Sequence, residues 1–400
     1  MSKWEWKKLG DLYPIVMGKT PPRGDPSCWD KSKRTNNVWV TIADISSNEN
    51  QVITESKEYI SDKATKNISL VSPKSLLLSF KLSIGKMAFA GVPLYTNEAI
   101  VNFPPIKDID LHYLHKYFLY YNWDKASEGD TKVKGKTLNK EKLKNIDIPV
   151  PPLSEQNRIV KFLDEEFSKI DTLKTNAETN LKNAKELFET TLEKELNPLS
   201  RHSERSEESS ADLPSGWEWK TLDEFSTNLD AKRKPVTKKN RVNGNYPYYG
   251  ASGIVDYVDS YIYDGKYLLI SEDGANLVAR STPIAFIAEG KFWVNNHAHI
   301  IETANEATLQ YLVYFFENLD LSPYVKGMAQ PKLSQDSLYK IQIPLPPLSV
   351  QKEIVARLDK LSENVKRLEA NYKQIIANCD ELKKSILKKT FEGDSRSSRE

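Results

Sequence analysis

The sequence predicts an α+β fold in which two β-rich domains are joined by two long antiparallel helices that form a coiled coil, with a pseudo-two-fold relation between the halves. The main observation is a repeat: IPVPPLSEQ at residues 148–156 returns as IPLPPLSVQ at residues 343–351, with seven identities in nine positions. A second pair agrees, because WEWKKL at residues 4–9 returns as WEWKTL at residues 217–222. Each proline-rich copy opens a long run with helical periodicity, so the chain is a tandem duplication.

The repeat sets the predicted domain boundaries. Pro151 aligns with Pro346, an offset of 195 positions (346 − 151) that also carries Asp164 onto Asp359. The β-rich domains are predicted at residues 1–152 and 216–347, the long helices at 153–197 and 348–392, a polar linker at 198–215 and a polar tail at 393–400. The ends of the two copies agree while their middles align poorly. This favours two recognition modules with different targets over a pair of active sites.

Composition limits the classes of function. The 57 basic and 55 acidic residues nearly cancel, so only local clusters can indicate a nucleic-acid binder. Cys28 and Cys379 match no metal-ligand spacing and are too few for a disulfide framework. The N-terminal sequence lacks an apolar stretch of signal-peptide length, and no run approaches the roughly 18 apolar residues that span a bilayer. We therefore expect a cytoplasmic protein that does not contact a membrane.

Both predicted domains combine short strands with one amphipathic helix. Apolar or β-branched runs bounded by Pro, Gly and Asn predict strands, and apolar residues at 3–4 spacing predict helices. In the first domain, strands are expected at residues 38–42, 75–80, 87–90 and 99–103, followed by a helix at 110–123. In the second domain, strands are expected at residues 284–288 and 292–295, followed by a helix at 309–318. The two helices share the related sequences LHYL and LQYL.

A long helix follows each proline-rich segment. Ser154 is the predicted N-cap of the first, because a serine hydroxyl can accept a hydrogen bond from an unpaired helix amide. The residues predicted to form the seam between the helices recur at 3.5-residue spacing: Ile159, Leu163, Ile170, Leu173, Ala177, Ala184 and Leu187 on the first helix, and Ile354, Leu358, Leu361, Val365, Leu368, Tyr372, Ile375, Cys379, Leu382 and Ile386 on the second. Paired antiparallel, the helices are expected to form a rigid spacer of about 60 Å.

Clusters of basic residues are the main functional indication. The segment AKRKPVTKKNR at residues 231–241 has six basic residues in eleven and no acidic one, and weaker clusters occur in the first domain. Such side chains supply most of the nonspecific affinity of proteins for DNA. The competing interpretation of any one cluster is a solvated loop. The candidate DNA-binding residues are Arg23, Lys31, Lys33, Arg34, Lys81, Lys134, Lys136, Lys232, Arg233, Lys234, Lys238, Lys239, Arg241, Arg280, Lys326 and Lys332.

We expect no catalytic, cofactor-binding or metal-binding residue in this chain. The segment GDTKVKGKT at residues 129–137 has five residues between its glycines, where a phosphate-binding loop has four. His297 and His299 flank one residue, and His112 and His115 lie one helical turn apart, but neither pair has carboxylate or cysteine partners at ligand spacing. We interpret these histidines as structural.

Taken together, WEWKKL, PPLSEQNRIVKFLD, GWEWKTL, YYGASGIVDYV, LLISEDGAN and PPLSVQKEIVARLD resemble the specificity subunit of Type I restriction-modification systems, in the expected order along the chain. The resemblance implies two target-recognition domains held by two long helices, with a bipartite target on double-stranded DNA. It also implies two methyltransferase subunits docked on the helices, with restriction subunits able to join. S-adenosylmethionine would then belong to the partner methyltransferase, and ATP and magnesium to the restriction subunit.

Three other functions compete with this interpretation. The chain could serve a methyltransferase-only system or be a silent cassette, which its sequence does not distinguish. A fused nuclease or methyltransferase is disfavoured because the cofactor and acidic motifs are missing. A tandem RNA-binding or purely structural coiled-coil protein would bind without preference among base pairs, or would show no salt-dependent affinity for DNA.

Overall fold

The computed structural model describes residues 4–127, 131–132, 135–136, 138–197, 213–327 and 330–393. The chain forms two compact units, one of Met1–Asn176 with Ile375–Glu400 and the other of Ala177–Gln374. Each unit contains one β-rich domain and a part of both long helices. The long helices therefore do not form a third unit of their own, although the repeat in the sequence delimits them separately.

The first unit is built from short strands around buried apolar residues. Its strands are β1 Glu5–Lys8, β2 Val38–Val40, β3 Val52–Ile53, β4 Glu58–Tyr59, β5 Leu76–Ser79, β6 Met87–Ala90, β7 Leu94–Thr96, β8 Ile100–Phe103, β9 Thr131–Lys132, β10 Gly135–Lys136 and β11 Asp147–Val150. Its helices are α1 Leu9–Leu12, α2 Ile42–Ser47, α3 Asp62–Thr65, α4 Leu111–Tyr120, α5 Trp123–Ala126, α6 Lys140–Lys144 and the long α7 Leu153–Leu196, which ends in the second unit. The sheets have the orders β3-β6-β5-β8 and β4-β2-β7, with separate β1-β11 and β9-β10 pairs.

One predicted strand of this unit ends early. The strand expected at residues 38–42 stops at Val40 because Thr41 caps α2, accepting a hydrogen bond from the Asp44 amide while the Asp44 side chain accepts from the Thr41 amide. The expected helix at residues 110–123 stops at Tyr120, and α5 begins at Trp123. The other expected strands lie within one residue of β5, β6 and β8.

The second unit is organised on one larger sheet. Its strands are β12 Glu218–Lys220, β13 Ser226–Asn228, β14 Asn243–Gly250, β15 Gly253–Val258, β16 Tyr263–Ser271, β17 Ala285–Val294, β18 Ala298–Thr303 and β19 Ile343–Leu345. Its helices are α8 Leu222–Phe225, α9 Asn276–Ala279, α10 Glu306–Asn318, α11 Gln335–Leu338 and the long α12 Leu348–Gly393, which ends in the first unit. The six-stranded order is β13-β18-β16-β17-β14-β15, with a separate β12-β19 pair. The two strands expected at residues 284–288 and 292–295 are one strand, β17, paired along its length with β16.

The repeated sequence forms the same joint in both units, a short antiparallel strand pair directly before the long helix: β1-β11 in the first unit and β12-β19 in the second. Trp6 of β1 lies opposite Pro149 of β11, and Trp219 of β12 lies opposite Pro344 of β19. The carbonyl of each of these prolines accepts a hydrogen bond from a tyrosine hydroxyl, Tyr113 at 2.8 Å and Tyr311 at 2.5 Å. The tandem duplication is thus a duplicated connection between a β-rich domain and its long helix.

A glutamine in the first turn of each long helix bonds the proline segment that precedes the helix. The first begins at Leu153, one residue before the expected cap, so Ser154 lies inside the helix. The fully buried Gln156 amide donates to the Pro151 carbonyl at 2.8 Å, and Gln351 does the same to Pro346 at 2.7 Å. The glutamine therefore ties the first turn of the helix to the proline segment as a donor, which differs from a serine cap that would accept from a helix amide.

Segments of the long helices pair antiparallel within each unit. In the first unit, Lys174 of α7 pairs with Asp380 of α12 at 2.8 Å, and Asp171 pairs with Lys383, so the numbers rise along one helix as they fall along the other. In the second unit, Arg357 lies 2.6 Å from Glu195. Apolar residues of both helices join the core of each unit: Ile159, Leu163, Leu387 and Phe391 in the first, and Leu192, Leu196, Ile354 and Leu358 in the second.

The residues predicted to form the seam differ in burial, and five of them are exposed, which contradicts the prediction at those positions. Buried or half-buried are Ile159, Leu163, Ile170, Ala177, Ala184, Ile354, Leu358, Leu361, Val365, Tyr372, Cys379 and Ile386. Exposed, and wrongly assigned to the seam, are Leu173, Leu187, Leu368, Ile375 and Leu382. The inward positions beside them include Lys174 and Lys383, whose ammonium groups reach carboxylates on the opposite helix. Choosing seam residues by apolar character alone therefore picked the leucine instead of the adjacent lysine, because a long lysine side chain can pack its stem inward while its charge is paired.

None of the helices in the described part of the chain combines the length and apolar character that crossing a bilayer requires.

Candidate nucleic-acid interface

An ordered loop in the first unit projects two cationic side chains. The Asp30 carboxylate accepts hydrogen bonds from the amides of Ser32 and Thr35 at 2.9 and 2.8 Å, and from both hydroxyls. These bonds, that of the Ser32 hydroxyl foremost, hold the pKa of Asp30 well below its usual range. Lys31 and Arg34 are exposed, and within the described ranges they make no hydrogen bond or ion pair. This loop, residues 30–36, therefore offers two free charges on a fixed frame.

Two other candidates in the first unit already have partners. The Lys33 ammonium donates to the Ser56 carbonyl at 2.9 Å and lies 4.9 Å from the centre of the Tyr59 ring. Lys81 is half-buried, with its ammonium 5.3 Å from the Phe80 ring centre. Lys134 lies outside the described residues, and of Lys136 only the backbone, in β10, is described.

Arg23 lies against two tryptophans beside a pocket. Its guanidinium is 4.2 Å from the Trp29 ring centre and 4.8 Å from that of Trp39, and it forms two hydrogen bonds with the Glu58 carboxylate. The side chain is still 54% exposed. The pocket has a volume of about 310 Å³ and is lined by Arg23, Pro26, Trp29, Asp30, Lys31, Lys57, Glu58 and Tyr59. Aromatic surface and charges of both signs therefore meet in one recess.

The basic segment at residues 231–241 is a tethered loop in the second unit. The Trp293 indole donates to the Lys234 carbonyl at 2.8 Å, and the Val236 amide donates to the Tyr248 hydroxyl at 3.0 Å. Its exposed cations make no hydrogen bond or ion pair with any residue that the structure describes; they are Lys232, Lys234, Lys238 and Lys239. The loop thus presents four cations on a surface anchored to the sheet.

Two arginines of this segment, Arg233 and Arg241, are half-buried and bonded within the domain, unlike the exposed lysines beside them. Arg233 is bonded to Glu272, to the Ala298 carbonyl at 2.9 Å and to Asp230 at 3.2 Å. Arg241 bonds the Asp256 carboxylate and the Val236 carbonyl, each at 3.0 Å, and lies 4.3 Å from the Tyr248 ring centre. Guanidinium groups can satisfy several acceptors at once, so these two fasten the loop to the domain.

Arg280 is also a structural residue. It follows α9 with a left-handed backbone, φ 50°, and its guanidinium donates to the carbonyls of Phe316 and Leu319 at the end of α10. A cation at a helix C-terminus satisfies unpaired carbonyls and opposes the negative end of the helix dipole. Burial lowers the pKa of Arg280. The guanidinium of Arg280, a predicted DNA-binding residue, is thus engaged within the domain.

The last two candidates form one short bridge. The amides of Lys326 and Lys332 donate to each other's carbonyls at 3.0 and 2.8 Å. The Lys332 ammonium lies 3.0 Å from a Glu272 oxygen, whereas Lys326 is exposed. Only Lys326 of the pair therefore adds an uncommitted charge, as far as the described residues extend.

A buried ion network supports these loops. His299 shares a hydrogen bond of 2.5 Å with Asp230 through Nδ1 and one of 2.8 Å with the Leu333 carbonyl through Nε2. Burial pushes the pKa of Asp230 up, but the hydrogen bonds from His299 and the Ile300 amide, together with the charges of His299 and Arg233, hold the pKa below its usual value. Although Asp230, Glu272 and His299 are close enough to hold a metal ion, both histidine nitrogens are bonded, and Arg233 and Lys332 already pair with the carboxylates. The donor set fits an ion network rather than a metal site.

The carboxylate partners of the histidines lie far from them in the sequence and could not be predicted from spacing. His297 contacts Asp273 at 2.8 Å and His299 contacts Asp230, at separations of 24 and 69 positions. The Glu58 partner of Arg23 is likewise 35 positions away. Spacing along the chain gives no signal for such pairs, because the sheets bring them together.

His115 is buried and contacts Asn50 at 2.7 Å, and burial lowers its pKa to about 4.

Comparison with known proteins gives one consistent result. The sequence model of the family described as Type I restriction modification DNA specificity domain matches residues 1–183 and 214–377. A putative type I restriction enzyme specificity subunit from Haemophilus influenzae is 44% identical over 146 residues, which are 36% of this chain and 37% of that protein. The MjaIX specificity subunit from Methanocaldococcus jannaschii is 25% identical over 98% of this chain and 94% of its own.

Solved structures agree on the fold. The HsdS subunit from Thermoanaerobacter tengcongensis matches with a TM-score of 0.63 at 18% identity, over 98% of this chain and 97% of its own. A chain from a structural study of complex assembly and conformational transition of the type I R-M system matches with a TM-score of 0.72 at 19% identity, over 97% of both chains. Since the family model matches both repeats and most of the chain, this protein belongs to the Type I restriction-modification DNA specificity subunits, a family of non-catalytic DNA-recognition subunits.

Proposed function

We propose that this chain recognises a bipartite, asymmetric target on double-stranded DNA and directs adenine methyltransferase and restriction subunits to it. The observation that carries the proposal is that two different β-rich domains are attached to their long helices through equivalent strand pairs. The joints match through β1-β11 and β12-β19, whereas the sheets above them have unlike strand orders. Equivalent attachment with unequal domains is what two unlike half-sites require.

The free cations supply the expected phosphate contacts. In the first domain these are Lys31 and Arg34, and in the second they are Lys232, Lys234, Lys238, Lys239 and Lys326. Contacts of this kind position a protein on the duplex and carry no sequence information themselves. Sequence must then be read by side chains that reach base edges, from the loops between and around these cations.

The long helices are the proposed source of the nonspecific spacer between half-sites. Helix α7 has 44 residues, which at about 1.5 Å per residue gives a length of about 66 Å. A helix pair of fixed length resists bending more than a flexible linker does. We expect insertions of whole heptads in both helices to lengthen the spacer of the recognised sequence.

Exposed leucines are the proposed docking positions for two methyltransferase subunits. Leu173 and Leu187 of α7 are 56% and 57% exposed, and at the repeat offset of 195 they correspond to Leu368 and Leu382 of α12, which are 38% and 47% exposed. Equivalent apolar positions on both helices suit two copies of one partner. That partner would bring S-adenosylmethionine, and restriction subunits would bring ATP and magnesium, in the cytoplasm.

The test is to express the chain with its methyltransferase subunit in a host and to map modified adenines across the genome. We expect one asymmetric motif in two parts separated by a fixed gap, which disappears when this chain is omitted. Modified adenines that persist without the chain would contradict the proposal. Cleavage of unmodified DNA after addition of the restriction subunit would distinguish a restriction system from a methyltransferase-only one.

A further inference from the structure

We propose that Arg23 is a specificity-determining residue of the first domain, which reads one guanine of the half-site through its free guanidinium edge. The inference rests on the proposed function, because it assumes that this domain contacts base pairs. The supporting observations are the fixed backbone before Arg23, the aromatic support of its side chain, its unused donors and the mixed charge around it.

The backbone leading to Arg23 is unusually constrained. Two prolines, Pro21 and Pro22, precede it and fix their own φ angles. The Trp29 indole donates to the Pro22 carbonyl at 3.0 Å, and the Trp39 indole donates to the Lys19 carbonyl at 3.2 Å. The position of the Arg23 Cα is therefore set by the same two side chains that support its guanidinium.

The side chain is fixed at its end as well. The Trp29 and Trp39 rings meet edge to face, with centroids 5.0 Å apart, and the guanidinium lies against both. Glu58 accepts from Nη1 and Nη2, which raises the pKa of Arg23. A cation on aromatic faces with a carboxylate fork keeps one orientation, so little side-chain entropy remains to be lost when it binds a ligand.

One donor edge of this fixed guanidinium is unused. The bonds to Glu58 take one hydrogen from each terminal nitrogen and leave Nε–H beside the second Nη2 hydrogen. No acceptor in the described part of the chain bonds that edge, and the side chain is 54% exposed. Two adjacent N–H donors match the O6 and N7 acceptors of guanine in the major groove, the commonest specific contact between arginine and DNA.

Arg241 of the second domain is a natural comparison. It also lies on an aromatic ring, at 4.3 Å from the Tyr248 centroid, and also pairs with a carboxylate, Asp256. Its Nε–H, however, donates to the Val236 carbonyl, and the side chain is only 17% exposed. The same three types of group therefore give a satisfied structural arginine in one domain and an unsatisfied, exposed one in the other.

The charge around Arg23 favours a base over a phosphate. The pocket beside it contains Asp30 and Glu58 as well as Lys31 and Lys57. A phosphate placed there would approach two carboxylates, whereas a G·C pair offers acceptors to the arginine and a cytosine amino donor to a carboxylate. Phosphate contacts fit better on the neighbouring loop, where Lys31 and Arg34 are exposed and unpaired among the described residues.

The test compares methylation motifs of complexes that carry Arg23→Ala, Arg23→Lys or the control Arg241→Lys. We expect both Arg23 variants to accept other bases at one guanine position, with discrimination there falling on the order of 10- to 100-fold. The other half-site and the spacer should stay unchanged, which also shows that the complex is folded. The Arg241→Lys variant should keep the motif and lose thermal stability.

Two results would overturn the inference while leaving the proposed function intact. One is an unchanged motif in Arg23→Ala. The other is a uniform fall in methylation at all sites that Arg23→Lys restores, which would assign Arg23 to a phosphate, since lysine keeps the charge without the planar fork. A wild-type complex without any bipartite motif would instead overturn the proposed function, and this inference with it.

Discussion

Replacing Asp230 by alanine should destabilise the second unit far more than a surface substitution would. Its carboxylate accepts from His299 at 2.5 Å and from the Ile300 amide at 2.9 Å, and it lies 3.2 Å from Arg233. The His299 side chain is 1% exposed and that of Asp230 is 7% exposed. The variant would leave a buried imidazole and a backbone amide of β18 without their acceptor.

The expected loss of unfolding free energy is about 3–5 kcal/mol, the usual cost of breaking a buried, hydrogen-bonded ion pair from one side. For a unit of this size, about 2–4 °C per kcal/mol gives a fall in melting temperature of roughly 6–20 °C. Asp273→Ala is the matched control, because its partner His297 is 45% exposed. That variant should lose about 1 kcal/mol or less.

Thermal unfolding of the full chain measures the loss, and hydrogen exchange of the β18 amides locates it in the second unit. The pKa of Asp230 is held below its usual value of about 3.9, so this contribution is fully present above that pH and is lost as the pH falls through the lower, folded-state pKa. The two variants should thus converge in acid. Equal, small losses for Asp230→Ala and Asp273→Ala at neutral pH would refute the importance of the network.

Three further predictions concern the interface, the joint and the helices. Removing Lys238 and Lys239 together should make the dependence of log affinity on log salt concentration shallower by about 1.8 in DNA titrations, with the motif unchanged. The Gln156→Ala variant should lose about 1–3 kcal/mol in urea unfolding, because the buried amide bonds the Pro151 carbonyl at 2.8 Å. Leu173→Asp should weaken capture of the methyltransferase subunit without changing stability, whereas Leu163→Asp, at a fully buried position, should unfold the first unit.

Each of these three predictions can be contradicted by a specific result. An unchanged salt dependence would place the two lysines away from phosphates. An unaffected urea midpoint in the Gln156 variant would mean that the joint is held by its strands alone. Full capture of the methyltransferase by the Leu173→Asp variant would show that the methyltransferase docks on another surface.

The joints and the larger elements could be predicted because their causes are local or duplicated. The proline segment appears twice, and it is the same β-pair and helix start in both units. Helix α4 follows directly from apolar residues at 3–4 spacing. The phase of the long-helix seam could not be predicted, because Lys174 lies inward only when Asp380 stands opposite.

The interface was less accessible from the sequence for a similar reason. A run of basic residues indicates total charge, but not which charges are already neutralised. Within the segment 231–241, Arg233 and Arg241 turn toward Glu272 and Asp256, while the lysines between them stay exposed. Conversely, Arg23 lies in no basic cluster. The contacts that fix its guanidinium come from Glu58 and two tryptophans, which the fold brings to it.

We infer that each β-rich domain reads its own half-site, because both domains are attached to their long helices in the same way. The most direct measurement is the methylation motif of a chimera in which residues 216–347 are replaced by a second copy of residues 1–152, joined at the repeated proline segments. We predict a symmetric motif in which one half-site of the wild-type target occurs twice, in inverted orientation, with the spacer retained. An unchanged asymmetric motif from a folded, active chimera would contradict it.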